Sequence, residues 1–390
     1  MNIAEMVLPT VRQVPPSGIR KFFDLVNEMK DAISLSIGEP DFVTPWNIRE
    51  AGIYSLEKGH THYSPNAGFM ELREEICKYQ ERKYNLKYDP KTQVIVTVGG
   101  SEGIDIALRA LVGPGDEVII PEPCFVAYKP CTIFTGATPV IVNLSAENEF
   151  RLTPELLEKA ITDRTKVLIL PYPNNPTGAV MEKKDLEAIV EVLKDKDIIV
   201  ISDEIYSELT YGVKHVSIAS FPEMKDKTVV INGFSKAYAM TGWRLGYCLG
   251  HPDLISQMYK IHQYAIMCSP TTAQYAAIEA LRNSDDDVEA MVREYNRRRR
   301  IMVEGFRSAG LECFEPLGAF YVFPCIESTG MTSYEFSERL LMEEKVAVVP
   351  GTAFGECGEG YVRSCYASSM DNIIEAMKRI KRFVERNRKK

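Results

Sequence analysis

Several classes of protein are excluded by what this 390-residue chain does not contain. No stretch approaches the roughly 18 consecutive apolar residues of a spanning helix, so no membrane role is expected. The opening MNIAEMVLPTVRQVPPSGIRKFF lacks the apolar core of a secretion signal. Basic residues are not in excess: 46 Lys and Arg stand against 54 Asp and Glu, a net charge of -8. A nucleic-acid binder would normally carry the opposite balance, so no nucleic-acid partner is expected. None of the nine cysteines has a neighbour at the C-x-x-C spacing of a zinc or redox site. Their odd number and wide spacing fit reduced thiols, most of them small buried hydrophobes, and hence a cytoplasmic chain without a metal. Repeats with a period of about 20 to 50 residues are missing, as are low-complexity tracts. The strongly basic C-terminal run KRIKRFVERNRKK reads as the solvated last turns of a helix, where cations suit the dipole.

Hydrophobic residues make up 45% and charged residues 26%, and the length suits about two to three domains. Through the middle, short β-branched runs alternate with helical patterns: QVIVTV, DEVIIP, TPVIVNL, KVLILP, DIIVISDE and TVVING. Continuous apolar runs separated by helices imply a mainly parallel sheet covered on both faces, a three-layer α/β/α arrangement. From about Asp287 the pattern changes. A long charged helix is followed by CFEP, AFYVFP, a helix opened by Thr332 with Glu335 three residues on, VAVVP, YVRSCY and a last helix. That alternation implies a separate, smaller α+β domain. The expected division is a large domain over residues 44–282 and a discontinuous small one from 1–43 and 283–390.

Ligands of open α/β sheets sit beyond the carboxyl ends of the strands, so the residues after each run carry the functional reading. After QVIVTV come Gly99, Gly100, Ser101, Glu102 and Gly103. Glycines and a hydroxyl opening a helix suit a phosphate, although such turns are also common scaffolding. The turn matches neither the dinucleotide nor the P-loop fingerprint, which disfavours a dehydrogenase. After KVLILP, the run from Tyr172 to Gly178 forms a rigid loop in which Asn175 serves a ligand oxygen or only the loop itself. Asp203 closes the apolar run DIIVIS, and a carboxylate there must be paired, capping or functional, because burying it alone is expensive. One function is to hold a protonated ring nitrogen, with Tyr206 donating to a nearby oxygen. After TVVING, Ser235 and Lys236 are followed by aromatics and Arg244. A lysine behind a buried strand is well placed for a lowered pKa and for Schiff-base chemistry. Arg244 offers a planar fork to a phosphate or carboxylate. Singly these features are weak. Together they describe a site for a phosphorylated aldehyde bearing a ring nitrogen, which is pyridoxal 5'-phosphate.

The ordered blocks SIGEPDFVTP, HYSPNAG, PYPNNPTG, SDEIY, SKAYAMTGWRLGY, GAFYVFP and GYVRSCYA resemble those of the fold-type I, class I/II aminotransferases over nearly the whole length. Within that family the chain is most similar to the branch of aspartate, aromatic and N-acetyl-diaminopimelate aminotransferases. The resemblance implies a seven-stranded-type sheet in a large cofactor-binding domain, and a homodimer with shared active sites. It implies transfer of an amino group from an L-amino acid to 2-oxoglutarate by a ping-pong route. Residue by residue, Lys236 would form the Schiff base and shuttle the proton, and Asp203 would pair with the pyridine nitrogen. Asn175 and Tyr206 would bond the ring's phenolic oxygen, and Phe125 would stack on the ring. Gly100, Ser101 and Glu102 would form the phosphate cradle, completed by Ser235 and Arg244. Tyr63 would reach the phosphate of the neighbouring subunit's cofactor. Arg363 would clamp the substrate carboxylate with the backbone of Gly38, and Ile19 would touch the substrate side chain. Phe22 and Tyr321 are candidate apolar walls. A C–S lyase or decarboxylase on the same fold would keep the same contacts. A non-catalytic cofactor-binding regulator would need a DNA-binding domain, for which no residues are left over.

Overall fold

The computed structural model describes residues 3–16, 29 and 31–388. In chain order its strands are β1 Ile33–Ser34, β2 Val94–Thr97, β3 Glu117–Glu122, β4 Thr138–Asn143, β5 Thr165–Leu170 and β6 Ile199–Asp203. They continue with β7 Thr228–Gly233, β8 Gly246–Leu249, β9 Tyr321–Val322, β10 Val346–Ala347, β11 Val349–Pro350 and β12 Val362–Cys365. Seven of these form one sheet in the order β2-β8-β7-β6-β5-β3-β4. Its neighbours are parallel, except that β8 runs antiparallel to both β2 and β7.

The six apolar runs of the middle of the sequence are β2 to β7, displaced by no more than a residue or two. They are strands because both faces are buried. Alternate side chains of one strand enter different cores. Val229 and Ile231 of β7 pack with Ile104 and Leu108 of the helix Gly99–Leu111, while Val230 packs with Leu72 and Ile76 of the helix Met70–Tyr84. Helices therefore cover both sides, giving the three layers expected. Pro139 is tolerated because β4 is the edge strand.

Strand β8 is the sequence reading's main omission, because its four residues sit inside a longer block. Only residues 234–245 separate it from β7, and they contain no α-helix. With no α-helix to carry the chain back across the sheet, β8 returns antiparallel. CFEP is a correction of the opposite kind, since residues 313–316 form no strand. The carbonyl of Cys313 is taken by the guanidinium of Arg307, and that of Glu312 by the backbone N of Cys325.

Two small sheets complete the structure. Strands β11, β12 and β9 pair antiparallel, and β1 pairs with β10 in parallel. The segment after β1 is bonded on both sides, Leu35 N to Ala347 O and Cys365 N to Leu35 O. It thereby delivers Ser36 and Gly38 to the cleft edge. The last helix, Met370–Asn387, buries Ile373, Ile380 and Phe383. Its basic face is not simply solvated. Arg382 and Arg386 both pair with Glu344, whose carboxylate is buried and held below the usual range, first by Arg382. Among the described residues no helix is long and apolar enough to cross a membrane.

Gly246 opens β8 against the turn that follows β2. A Cβ there would lie 2.7 Å from Gly99 C, 2.8 Å from Gly100 N and 3.0 Å from Asn232 O, all backbone atoms. No rotamer change relieves such a clash. Gly246→Ala is expected to destabilise the fold by about 1–3 kcal/mol. A denaturation midpoint equal to the parent's would disprove that account of the strand.

Candidate active site

Because β2, β5, β6 and β7 are mutually parallel, their carboxyl ends share one edge of the sheet. A cleft of about 890 Å³ opens there. Lys236, Asp203, Tyr206, Asn175, Arg244 and Arg363 all line it. Gly38, Gly100, Ser101, Phe125 and Ser235 line it too. Residues up to 327 positions apart in sequence are thus brought together, as in the bond from Arg363 to Ser36.

Asp203 ends β6 and is 7% exposed. Its Oδ2 accepts a 2.8 Å hydrogen bond from the Tyr128 hydroxyl, and its Oδ1 accepts from the backbone N of Ile205 at 3.1 Å. Burial raises its pKa, and these two bonds work in the other direction. Tyr128 was not singled out from the sequence. It opens the helix Tyr128–Phe134, and its ring meets Phe125 edge-on at 5.6 Å. Its one signal was its place three residues after Phe125.

Lys236 follows β7, and its Nζ donates to the carbonyl of Gly38 at 2.6 Å. Rings of Tyr206 and Phe320 lie 5.8 and 5.6 Å from the amine. Burial is the main cause that brings its pKa down from 10.5 to about 8, with Arg363 and Arg244 pulling the same way. The Tyr206 hydroxyl is 2.7 Å from that of Tyr321, and burial pushes its pKa up.

Arg363 sits on β12, almost fully buried. Its Nη1 donates to Asn175 Oδ1 at 2.9 Å and its Nη2 to Ser36 O at 2.5 Å. The guanidinium lies over Tyr321 and Phe354, 4.5 and 4.8 Å from the ring centroids. Its Nε is buried and has no partner among the described residues. A buried donor left unpaired is costly, so this one is available to an incoming acceptor.

At the turn after β2, Gly99 has φ +75, and a Cβ there would lie 2.8 Å from Arg244 Nη2. Glycine lets that guanidinium settle over the helix N-terminus, where anions are favoured. Two candidate residues lie elsewhere. Tyr63 is 82% exposed and does not line the cleft. The Glu102 side chain also lies outside it, bonded to Val98 N and His262. Ile19 and Phe22 fall outside the described residues.

A half-buried amine of lowered pKa, a buried carboxylate and a buried arginine meet at the carboxyl edge of the sheet, an arrangement suited to a group-transfer enzyme acting on carboxylate-bearing substrates. Residues 30–380 match the model of the family "Aminotransferase class I and II", and the chain belongs to that family. It is 54% identical to YugH of Bacillus subtilis (strain 168) over 376 residues, which is 96% of this chain and 97% of that one. It is 48% identical to an aspartate aminotransferase of Pyrococcus abyssi over 374 residues, 95% of this chain and 96% of the other. Among solved structures it is similar to an aromatic aminotransferase from Pyrococcus horikoshii, with TM-score 0.90, 46% identity and coverage of 95% and 99% of the two chains.

The lowered pKa of Lys236 has a sign that stability measures. Between about pH 8 and pH 10.5 the unfolded chain binds a proton at this lysine that the folded chain has released, so stability rises with pH across that window. Lys236→Met removes the penalty. In cofactor-free protein the variant should be more stable than the parent at pH 7 by roughly 3 kcal/mol or less. The gain should shrink as pH rises from about 8 to 10.5. A pH-independent difference in denaturation free energy would show that Lys236 has an ordinary pKa.

Proposed function

We propose that the protein is a pyridoxal 5'-phosphate-dependent transaminase working as a cytoplasmic homodimer with shared active sites. In this proposal it moves an amino group from an L-amino acid of the aspartate, aromatic or N-acetyl-diaminopimelate type to 2-oxoglutarate, in two half-reactions. The observation that carries it is the convergence of the Lys236 amine, buried Asp203 and buried Arg363 on one cleft. Support for the substrate range comes from relatives named for aspartate and for aromatic substrates.

The residues present fit the cofactor. Gly99 and Arg244 leave a cradle for a phosphate, and a buried carboxylate suits a protonated ring nitrogen. Gly100, Ser101 and Glu102 would offer the helix N-terminus to the phosphate, and Ser235 and Arg244 would close around it. When bound, pyridoxal phosphate supplies an aldehyde that condenses with amines and a ring that draws electrons from the adjoining carbon. Asp203 would keep the ring nitrogen protonated. Asn175 and Tyr206 would bond the phenolic oxygen, and Phe125 would cover one ring face. Arg363, with the backbone of Gly38, would hold the substrate α-carboxylate. Its Nε is a donor with no partner among the described residues. Lys236 Nζ, uncharged above about pH 8, is the base that would take the proton from the substrate Cα. Ile19 would contact the substrate side chain.

Exposure supports the dimer. Tyr63 is available to a neighbour, and Trp46, Ile53, Tyr54, Leu56 and Tyr264 are also exposed large hydrophobics. The two-domain division belongs to the same proposal, with a large unit over residues 44–282. It is supported by the seven-stranded sheet lying wholly within residues 94–249, while the other strands lie at 33–34 and 321–365.

Lys236→Ala should abolish both half-reactions and the visible absorbance of the holoenzyme. Steady-state turnover retained in that variant would refute the assignment. Arg363→Ala should raise KM for amino and oxo acid alike by about 10- to 100-fold, the loss expected of a charged hydrogen bond. Unchanged KM values would move the carboxylate site elsewhere.

A further inference from the structure

The chemistry proposed above leaves the buried pair of Glu102 and His262 unused. Glu102 Oε2 accepts from the backbone N of Val98 at 2.5 Å, and its Oε1 lies 2.5 Å from His262 Nδ1. His262 belongs to the helix Pro252–Ala265, and its side chain is fully buried. Its other nitrogen, Nε2, lies 2.9 Å from the backbone O of Asn66.

Counting protons fixes how these bonds are made. A carbonyl oxygen only accepts, so Nε2 must carry a hydrogen. Glu102 Oε2 is already an acceptor, and Nδ1 facing a bare Oε1 would set two lone pairs against each other. One further proton therefore sits between Nδ1 and Oε1. The pair as a whole is neutral and holds two protons, which is how a fully buried imidazole and a carboxyl group satisfy both ring nitrogens.

Each end of this ring reaches a different functional segment. Val98 and Glu102 frame the turn at Gly99 to Ser101. Asn66 lies in the loop that carries exposed Tyr63. That loop is further pinned by Asn66 Nδ2 donating to Met267 O at 2.7 Å and by Thr271 Oγ1 donating to His62 O at 2.8 Å. Among the described residues the side chain of Glu102 bonds no residue of that loop directly, so His262 is the link between them.

We propose that His262 is a positioning residue, a buried strut with both nitrogens hydrogen-bonded, that fixes the phosphate turn against the Tyr63 loop. The grip on the cofactor phosphate then depends on two hydrogen bonds made far from the reacting atoms. This rests on the reading of Gly100, Ser101 and Arg244 as the phosphate site.

The amide nitrogen of an asparagine side chain occupies roughly the place of a histidine Nδ1, and that of glutamine the place of Nε2. His262→Asn therefore keeps the bond to Glu102 and cuts the one to Asn66, and His262→Gln does the reverse. Full-length parent and variants, freed of cofactor, are titrated with pyridoxal phosphate and with pyridoxal, and each dissociation constant is read from the absorbance of the bound form. Both variants should lose about tenfold or more in affinity for pyridoxal phosphate, with pyridoxal changed by no more than about twofold. Equal losses for the two ligands would make His262 ordinary scaffold and overturn the proposal. So would no loss, or a loss in one variant alone. Arg244→Ala serves as the reference. If it fails to weaken pyridoxal phosphate more than pyridoxal, the phosphate site itself has been misread. If it does weaken it and the His262 variants do not, only the strut is wrong.

Discussion

The cleft keeps a carboxyl group, an amine and a guanidinium largely out of water, and burial by itself would neutralise each charge or leave it unsatisfied. The surrounding structure can be understood as a set of answers to that cost. Asp203 receives two hydrogen bonds, one from a tyrosine that cannot itself become a cation. Lys236 gives up part of its basicity and rests on a carbonyl. Arg363 lies over two aromatic faces and spends two of its donors on Asn175 and Ser36. Each answer draws on a different part of the chain, so the site exists only when the large sheet, β12 and the segment after β1 are all in place.

Much of this was legible in the sequence, and for a physical reason. Strands buried on both faces leave unbroken apolar runs, and a polar residue at the end of such a run stands out against them. Asp203, Asn175 and Lys236 were visible in that way. What stayed hidden was whatever depends on contact across long separations. Tyr128 bonds Asp203 from 75 residues away, and His262 reaches Glu102 across 160. Neither residue breaks a local pattern. Strand β8 was hidden for another reason: its four residues adjoin a loop already notable for Lys236 and Arg244. CFEP misled because its carbonyls are satisfied outside any ladder.

The described structure also separates rigidity from reach. Residues that hold the cleft's chemistry lie on strand ends or just past them, backed by cores in which most side chains have no exposure at all. Residues proposed to meet a second subunit lie on the outside, Tyr63 and Tyr264 most of all, at 82% and 87% exposed. Precision within the cleft is thus built from packed backbone, while the contacts proposed with a second subunit fall to exposed side chains on helices and loops of the surface.

The pairing of Glu344 with Arg382 and Arg386 carries a practical consequence for the end of the chain. The Glu344 carboxylate is buried while both arginines reach solvent, and removing them leaves a buried acceptor without its partners. A protein shortened to residue 381 would keep most of the apolar face of its last helix and still strand that charge. The last helix is therefore a fastening, and truncations that remove its arginines act on the body of the fold.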